Sequence, residues 1–171
     1  MLKHNQDITI DYNIGWSTHM PVLIHLCLLT EETKKPIMEI GSGVYSTPLL
    51  HWLCHPTKRP LITYENDMSF IKLAEQYQSD YHTVKYIDDY RQIKADEHYS
   101  IIFIDHVGHY RGETAVHLKD CADYIILHDT NVIRRNSYQL LPSAFKYYKD
   151  YTDARPYTGV ASNIKPVDAL W

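Results

Sequence analysis

The chain has 171 residues, 44% of them hydrophobic and 22% charged, with a formal charge of −4 at pH 7. That length suits one domain with a core of its own. The mild acidity argues against a nucleic-acid backbone as the main partner, because phosphate binding relies on clustered Lys and Arg, and the basic pairs Lys34-Lys35, Lys58-Arg59 and Arg134-Arg135 read as solvated loops.

Cys27, Cys54 and Cys121 contain no CxxC pair, so neither a disulfide framework nor a zinc signature is expected, and free thiols point to the cytoplasm. The apolar run Val22 to Leu29 is too short to span a membrane, contains His25, and lacks the flanks of a signal peptide.

In chain order, Ser17 or Thr18 is placed to cap a first helix running to about Thr30, with Pro21 in its first turn. Residues 36–40 read as a strand closed by Gly41. Thr47-Pro48 is a good helix start, and that helix stops near His55-Pro56. Residues 61–64 form a second strand ending at Glu65. Asn66 or Asp67 caps a helix that places Phe70, Ile71, Ala74 and Tyr77 on one face. Residues 82–87 form a third strand, ending at Asp88-Asp89. The nearly continuous apolar run 99–104 reads as a central strand buried on both faces, ending at Asp105. A helix over 113–119 precedes a fifth strand over 124–127, which ends at His128-Asp129. A helix over 137–148 and a closing strand or hairpin over 156–164 complete the chain.

Strands alternating with helices imply an α/β fold: a doubly wound, Rossmann-like, mostly parallel sheet with helices on both faces. One domain over 1–171 divides into a helical segment (1–35), a cofactor-binding core (36–131) and a carboxyl-terminal part (132–171). Ligands in such sheets bind at the carboxyl ends of the strands. Here those ends carry Glu39 with Gly41-Ser42-Gly43, then Glu65, Asp88, Asp105 and Asp129. The glycines let the chain turn tightly and let a ligand approach the backbone. An anion at Glu39 disfavours a pyrophosphate and favours a ligand carrying ammonium and sulfonium charges. Glu65 suits a pair of ribose hydroxyls, and Asp88 lies where an adenine amino group could be held.

This ordered set, E-x-G-x-G followed by acids ending strands two and four, resembles class I S-adenosylmethionine-dependent methyltransferases over about residues 36–131. Phe103-Ile104-Asp105-His106 and Ile126-Leu127-His128-Asp129-Thr130-Asn131 are similar to motifs of metal-dependent O-methyltransferases of the catechol or sugar type. The resemblance implies S-adenosylmethionine as cofactor, contacted by Glu39, Gly41, Ser42, Gly43, Glu65, Asp88, Asp105 and His106. It also implies a magnesium ion on Asp105, Asp129 and Asn131, and a small hydroxylated acceptor. Thr130, Val107 and Gly108 stand where that family has Asn, Trp and a catalytic Lys. The proton acceptor is then expected elsewhere, at His128 or His109 beside Asp105, with His106 behind them. Histidines 106, 109 and 128 with Asp105 and Asp129 also make a minor option for a transition metal. For Trp16 and Tyr45, packing is expected rather than ligand contact.

Two other readings remain open. One is a non-catalytic binding or assembly module of the same fold. The other is a nicotinamide-dependent oxidoreductase, against which Ser46 stands at the third glycine position of G-x-G-x-x-G. A homo-oligomer is compatible with the short chain, since a second subunit could cover its site.

Overall fold

The computed structural model describes residues 14–95, 97–132 and 136–171. A seven-stranded sheet of order β3-β2-β1-β4-β5-β7-β6 runs through the domain. Its strands are β1 (Ile37–Ile40), β2 (Leu61–Glu65), β3 (His82–Tyr86), β4 (Tyr99–Ile104), β5 (Ala122–His128), β6 (Tyr147–Tyr151) and β7 (Thr158–Ser162). The first five pair in parallel. β7 is antiparallel to both β5 and β6.

Every residue of β1, β4 and β5 is buried. That explains their continuous apolar runs, since a central parallel strand is covered on both faces. Alternation divides their side chains between two cores. Met38, Ile102, Ile104, Ile125 and Leu127 face one of them, together with Ala115 and Leu141. Ile37, Ile101, Phe103 and Ile126 face the other, against Leu23, Leu26 and Leu50. The covering helices are α1 (Met20–Leu29), α2 (Ser46–Cys54), α3 (Met68–Ala74), α4 (Arg111–His117) and the short α5 (Leu141–Ala144).

Of the two expected helix caps, one changes and one holds. Thr18 does not cap α1; residues 14–17 form a 3₁₀ turn, and the Thr18 hydroxyl instead donates to the Pro156 carbonyl at 2.7 Å. Asp67 does cap α3, accepting from Ser69 N at 2.7 Å.

One expectation is overturned. The helix read over 137–148 is a 3₁₀ turn (Tyr138–Leu140) and the single turn α5, followed by β6. Pro142 sits in the first turn of α5, and Phe145 is already extended, so the helix ends before its fifth residue. Tyr147-Tyr148-Lys149-Asp150-Tyr151 then forms an edge strand whose residues are all half-buried. Its tyrosines favour a pleated, half-covered surface. No helix among the described residues is long and apolar enough to cross a membrane.

Candidate functional site

The sheet order reverses between β1 and β4, which opens a crevice at their carboxyl ends. A cleft of about 510 Å³ lies there, a size typical of small-ligand sites. The glycine turn after β1 forms its floor. Gly41 has φ +90°, and a Cβ there would lie 2.4 Å from His106 Cα. Only glycine lets this turn pack against the backbone that leaves β4.

Glu39 lies beneath the turn, fully buried, and does not line the cleft. Its Oε2 accepts from Thr47 Oγ1 at 2.9 Å and Thr63 Oγ1 at 2.7 Å. Thr47 Oγ1 in turn accepts from Gly43 N at 3.0 Å. Thr63 also meets His82 Nε2 at 2.9 Å. Oε1 has no hydrogen-bond partner among the described residues. Burial pushes the carboxyl up to about 7, although the hydroxyls of Ser46, Thr63 and Thr47 work against that rise. Glu39 therefore braces the turn from behind, through Thr47 and Thr63, and does not reach the cleft surface.

Glu65 lines the cleft and is saturated with donors. Oε2 accepts from Ser42 N at 2.7 Å and Ser42 Oγ at 2.9 Å. Oε1 accepts from Asn66 N at 2.7 Å, Asp67 N at 2.8 Å and Tyr90 Oη at 3.0 Å. A ribose could bond to this carboxylate only by replacing one of these donors. Tyr90 continues the network by stacking on His106, ring centres 4.5 Å apart. Burial holds the His106 ring down to about 4, so it is neutral, and Nε2 meets Thr114 Oγ1 at 3.1 Å.

At the other end of the cleft, Asp105, His128, Asp129, Arg111 and His19 converge. Asp105 Oδ2 lies 3.2 Å from His128 Nδ1, and His128 Nε2 lies 2.9 Å from Thr18 Oγ1. Burial opposes a charged His128 ring, but Asp105 and Asp129 outweigh it and raise its pKa. Burial likewise opposes a charged Asp105, yet Arg111 and His128 bring its carboxyl down to about 2. His19 is buried to 1% exposure, and both its ring nitrogens lack partners among the described residues. Burial drives its pKa down to about 3, so it is neutral.

Asp105, Asp129 and Asn131, which the resemblance offers as magnesium ligands, do not fit that ion. Arg111 Nη1 lies between the two carboxylates, 2.8 Å from Asp105 Oδ1 and 2.8 Å from Asp129 Oδ2. Its guanidinium also donates to the carbonyls of His106 at 2.7 Å and Asp105 at 3.2 Å. The Asn131 side chain is turned to the backbone and accepts from Tyr157 N at 2.9 Å. Arg111 fills the space between Asp105 Oδ1 and Asp129 Oδ2 that an ion shared by the two acids would need, and the third oxygen ligand is engaged elsewhere.

Asp88 is exposed beyond β3 and does not line the cleft. Its neighbour Asp89 accepts from Arg91 N at 2.9 Å at the start of a 3₁₀ turn. His109 is exposed and lines a smaller adjoining cleft of about 380 Å³, across Arg111 and Asp129. Trp16 and Tyr45, expected only to pack, both line the main cleft.

No protein-family model matches the chain, and no curated protein matches it. Solved structures do share its fold. Human methyltransferase-like protein 13, in complex with S-adenosylhomocysteine, superposes with TM-score 0.62 at 17% identity, over 89% of this chain and 84% of the other. The chain has a class I methyltransferase fold. The O-methyltransferase TomG of Streptomyces achromogenes, in complex with S-adenosylmethionine, gives 0.61 at 14% identity, covering 91% and 92%. Magnesium protoporphyrin IX methyltransferase from Synechocystis PCC 6803, with bound S-adenosylhomocysteine, gives 0.57 at 12%, covering 92% and 90%. Within the methyltransferase fold, the two site residues that sequence reasoning missed are His19 and Arg111. Arg111 stands six residues after Asp105 at the start of α4, a spacing that carries no motif.

Proposed function

We propose that the chain is an S-adenosylmethionine-dependent methyltransferase that methylates an oxygen of a small hydroxylated acceptor, without magnesium. The observation that carries this reading is the single cleft that joins the Gly41 turn to the Asp105–His128 pair. The turn offers close approach to backbone, and Glu65 offers a carboxylate beside it. Gly41, Ser42, Gly43, Glu65, Asp105 and His106 would hold the cofactor. When bound, that cofactor supplies an electrophilic methyl group.

The chain's own part is positioning and proton handling. In-line transfer requires the acceptor oxygen to be aligned and its proton accepted. Asp105 is partly open to the cleft and His128 lies directly behind it, so an acceptor hydroxyl held against Asp105 meets a coupled acid–base pair. Arg111 fixes the Asp105 carboxylate in place from the opposite side.

The sheet order favours this reading over a nicotinamide-dependent oxidoreductase. Dinucleotide-binding folds finish with parallel strands in the order 3-2-1-4-5-6, whereas here antiparallel β7 lies between β5 and β6. Calorimetric titration tests the choice: S-adenosylhomocysteine binds with one site per chain and NAD does not. Labelled methyl transfer to a panel of phenols and sugars then follows, with no gain on adding magnesium. Binding without transfer to any acceptor would support the module reading instead. Preference for NAD would end the proposal.

A further inference from the structure

We propose that His19, Asp105 and His128 form a binding site for one borderline divalent transition-metal ion, with zinc as the type case. This goes beyond the methyl-transfer reading and does not need it, but it uses the same atoms. With an ion bound, Asp105 Oδ2 and His128 Nδ1 would hold the ion, and an acceptor hydroxyl would meet the ion's open position in place of the acid–base pair.

One donor atom from each of the three residues lies within 4.8 Å of the others. Donors about 2.1 Å from a zinc ion stand roughly 3.0–3.5 Å from one another. Asp105 Oδ2 and His128 Nδ1 already meet that spacing at 3.2 Å. The His19 donor, at most 4.8 Å from the others, would need to close by up to about 1.8 Å.

His19 is the second and independent observation. Buried polar groups in folded proteins find partners, yet neither nitrogen of this fully buried ring has one among the described residues. The ring lines the cleft and packs edge-on to His128, centres 4.8 Å apart. A metal ion at the cluster would give its lone pair a partner.

The donor set selects the ion. Two imidazole nitrogens and one carboxylate oxygen suit zinc, iron or cobalt, whereas magnesium prefers oxygen throughout. Outer contacts that orient two of the three ligands are also present, while the second ring nitrogen of His19 has none among the described residues. His128 Nε2 meets the Thr18 hydroxyl at 2.9 Å, and the unused Asp105 Oδ1 is held by Arg111 at 2.8 Å. Three protein ligands would leave a position open to the cleft.

The test uses the full chain, stripped of metal and free of any cofactor, so that failure here leaves the methyl-transfer reading untouched. Titration with Zn²⁺ is expected to saturate at one ion per chain in the submicromolar range, while millimolar Mg²⁺ gives no binding heat. The Co²⁺ form should show visible ligand-field bands and paramagnetically shifted proton resonances from two histidine rings. His19→Phe keeps the ring packing on Phe103 and should weaken Zn²⁺ at least tenfold, and His19→Ala serves if the first variant misfolds. Absence of saturable Zn²⁺ binding, no shifted histidine resonances in the Co²⁺ form, or wild-type affinity in a folded His19 variant would each overturn the site.

Discussion

Arg111 Nη1 lies 2.8 Å from Asp129 Oδ2, and Asp129 has φ +61°. A left-handed backbone is uncommon for any residue but glycine, although Asp tolerates it better than most. The guanidinium thus anchors a residue whose backbone is strained. The same atom reaches Asp105, so one buried cation ties the ends of β4 and β5 together.

Removing that cation leaves two acids facing each other in a largely buried site. Arg111→Met is expected to lower stability by about 3–5 kcal/mol, the usual cost of stranding one side of a buried pair. Urea unfolding monitored by circular dichroism measures it. A loss below about 1 kcal/mol would mean that the acids relax into solvent and that Arg111 is not the staple.

Gly41→Ala tests the packing of the turn. The added Cβ would fall 2.4 Å from backbone, at a φ that L-residues avoid. The variant is expected to lose about 3 kcal/mol or more of stability and to lose S-adenosylhomocysteine binding in calorimetry. Near wild-type values for both would show that the loop after β4 moves freely away from the turn.

The parallel half of the fold was legible because central strands advertise themselves. Residues 99–104 and 122–128 are buried on both faces, and their apolar runs say so. The carboxyl-terminal half was not, because β6 is an edge strand whose half-covered tyrosines show no clean alternation. At the site, the glycine turn and Asp105 could be read from local order. Asp88 could not be separated from its neighbour Asp89, since an acidic pair after a strand suits a turn as well as a ligand. Arg111 and His19 have roles that exist only once α4, β5 and the segment before α1 meet.

Glu65→Gln separates a structural from a ligand-binding role. The carboxylate accepts from five donors, two on Oε2 and three on Oε1. An amide would point its NH₂ at donors on one side. The expected result is a stability loss of about 1–3 kcal/mol, from leaving buried donors unsatisfied. Weaker S-adenosylhomocysteine binding, by about 1–3 kcal/mol, is expected at a temperature where the variant is still folded. Thermal melting and calorimetry read the two effects apart. Unchanged affinity in a folded variant would place the ribose elsewhere.

Glu39 sets a pH dependence whose sign is fixed by its burial. Its folded pKa is raised from 4.5 to about 7. Folding therefore favours the protonated form. The contribution of Glu39 to stability is highest below pH 4.5, falls as the pH rises towards 7, and is level above that. Glu39→Gln keeps the shape without the charge, so it removes this slope. At pH 8 the variant is expected to be more stable than the parent by up to about 3 kcal/mol, with little difference between them at pH 4. Because Glu39 touches Thr47 and Thr63 rather than the cleft, S-adenosylhomocysteine affinity should change by less than about tenfold. Urea unfolding across pH 4 to 8 reads the slope. A difference that grows towards acid pH would show that the carboxyl is held charged, by a contact stronger than its two threonine hydroxyls.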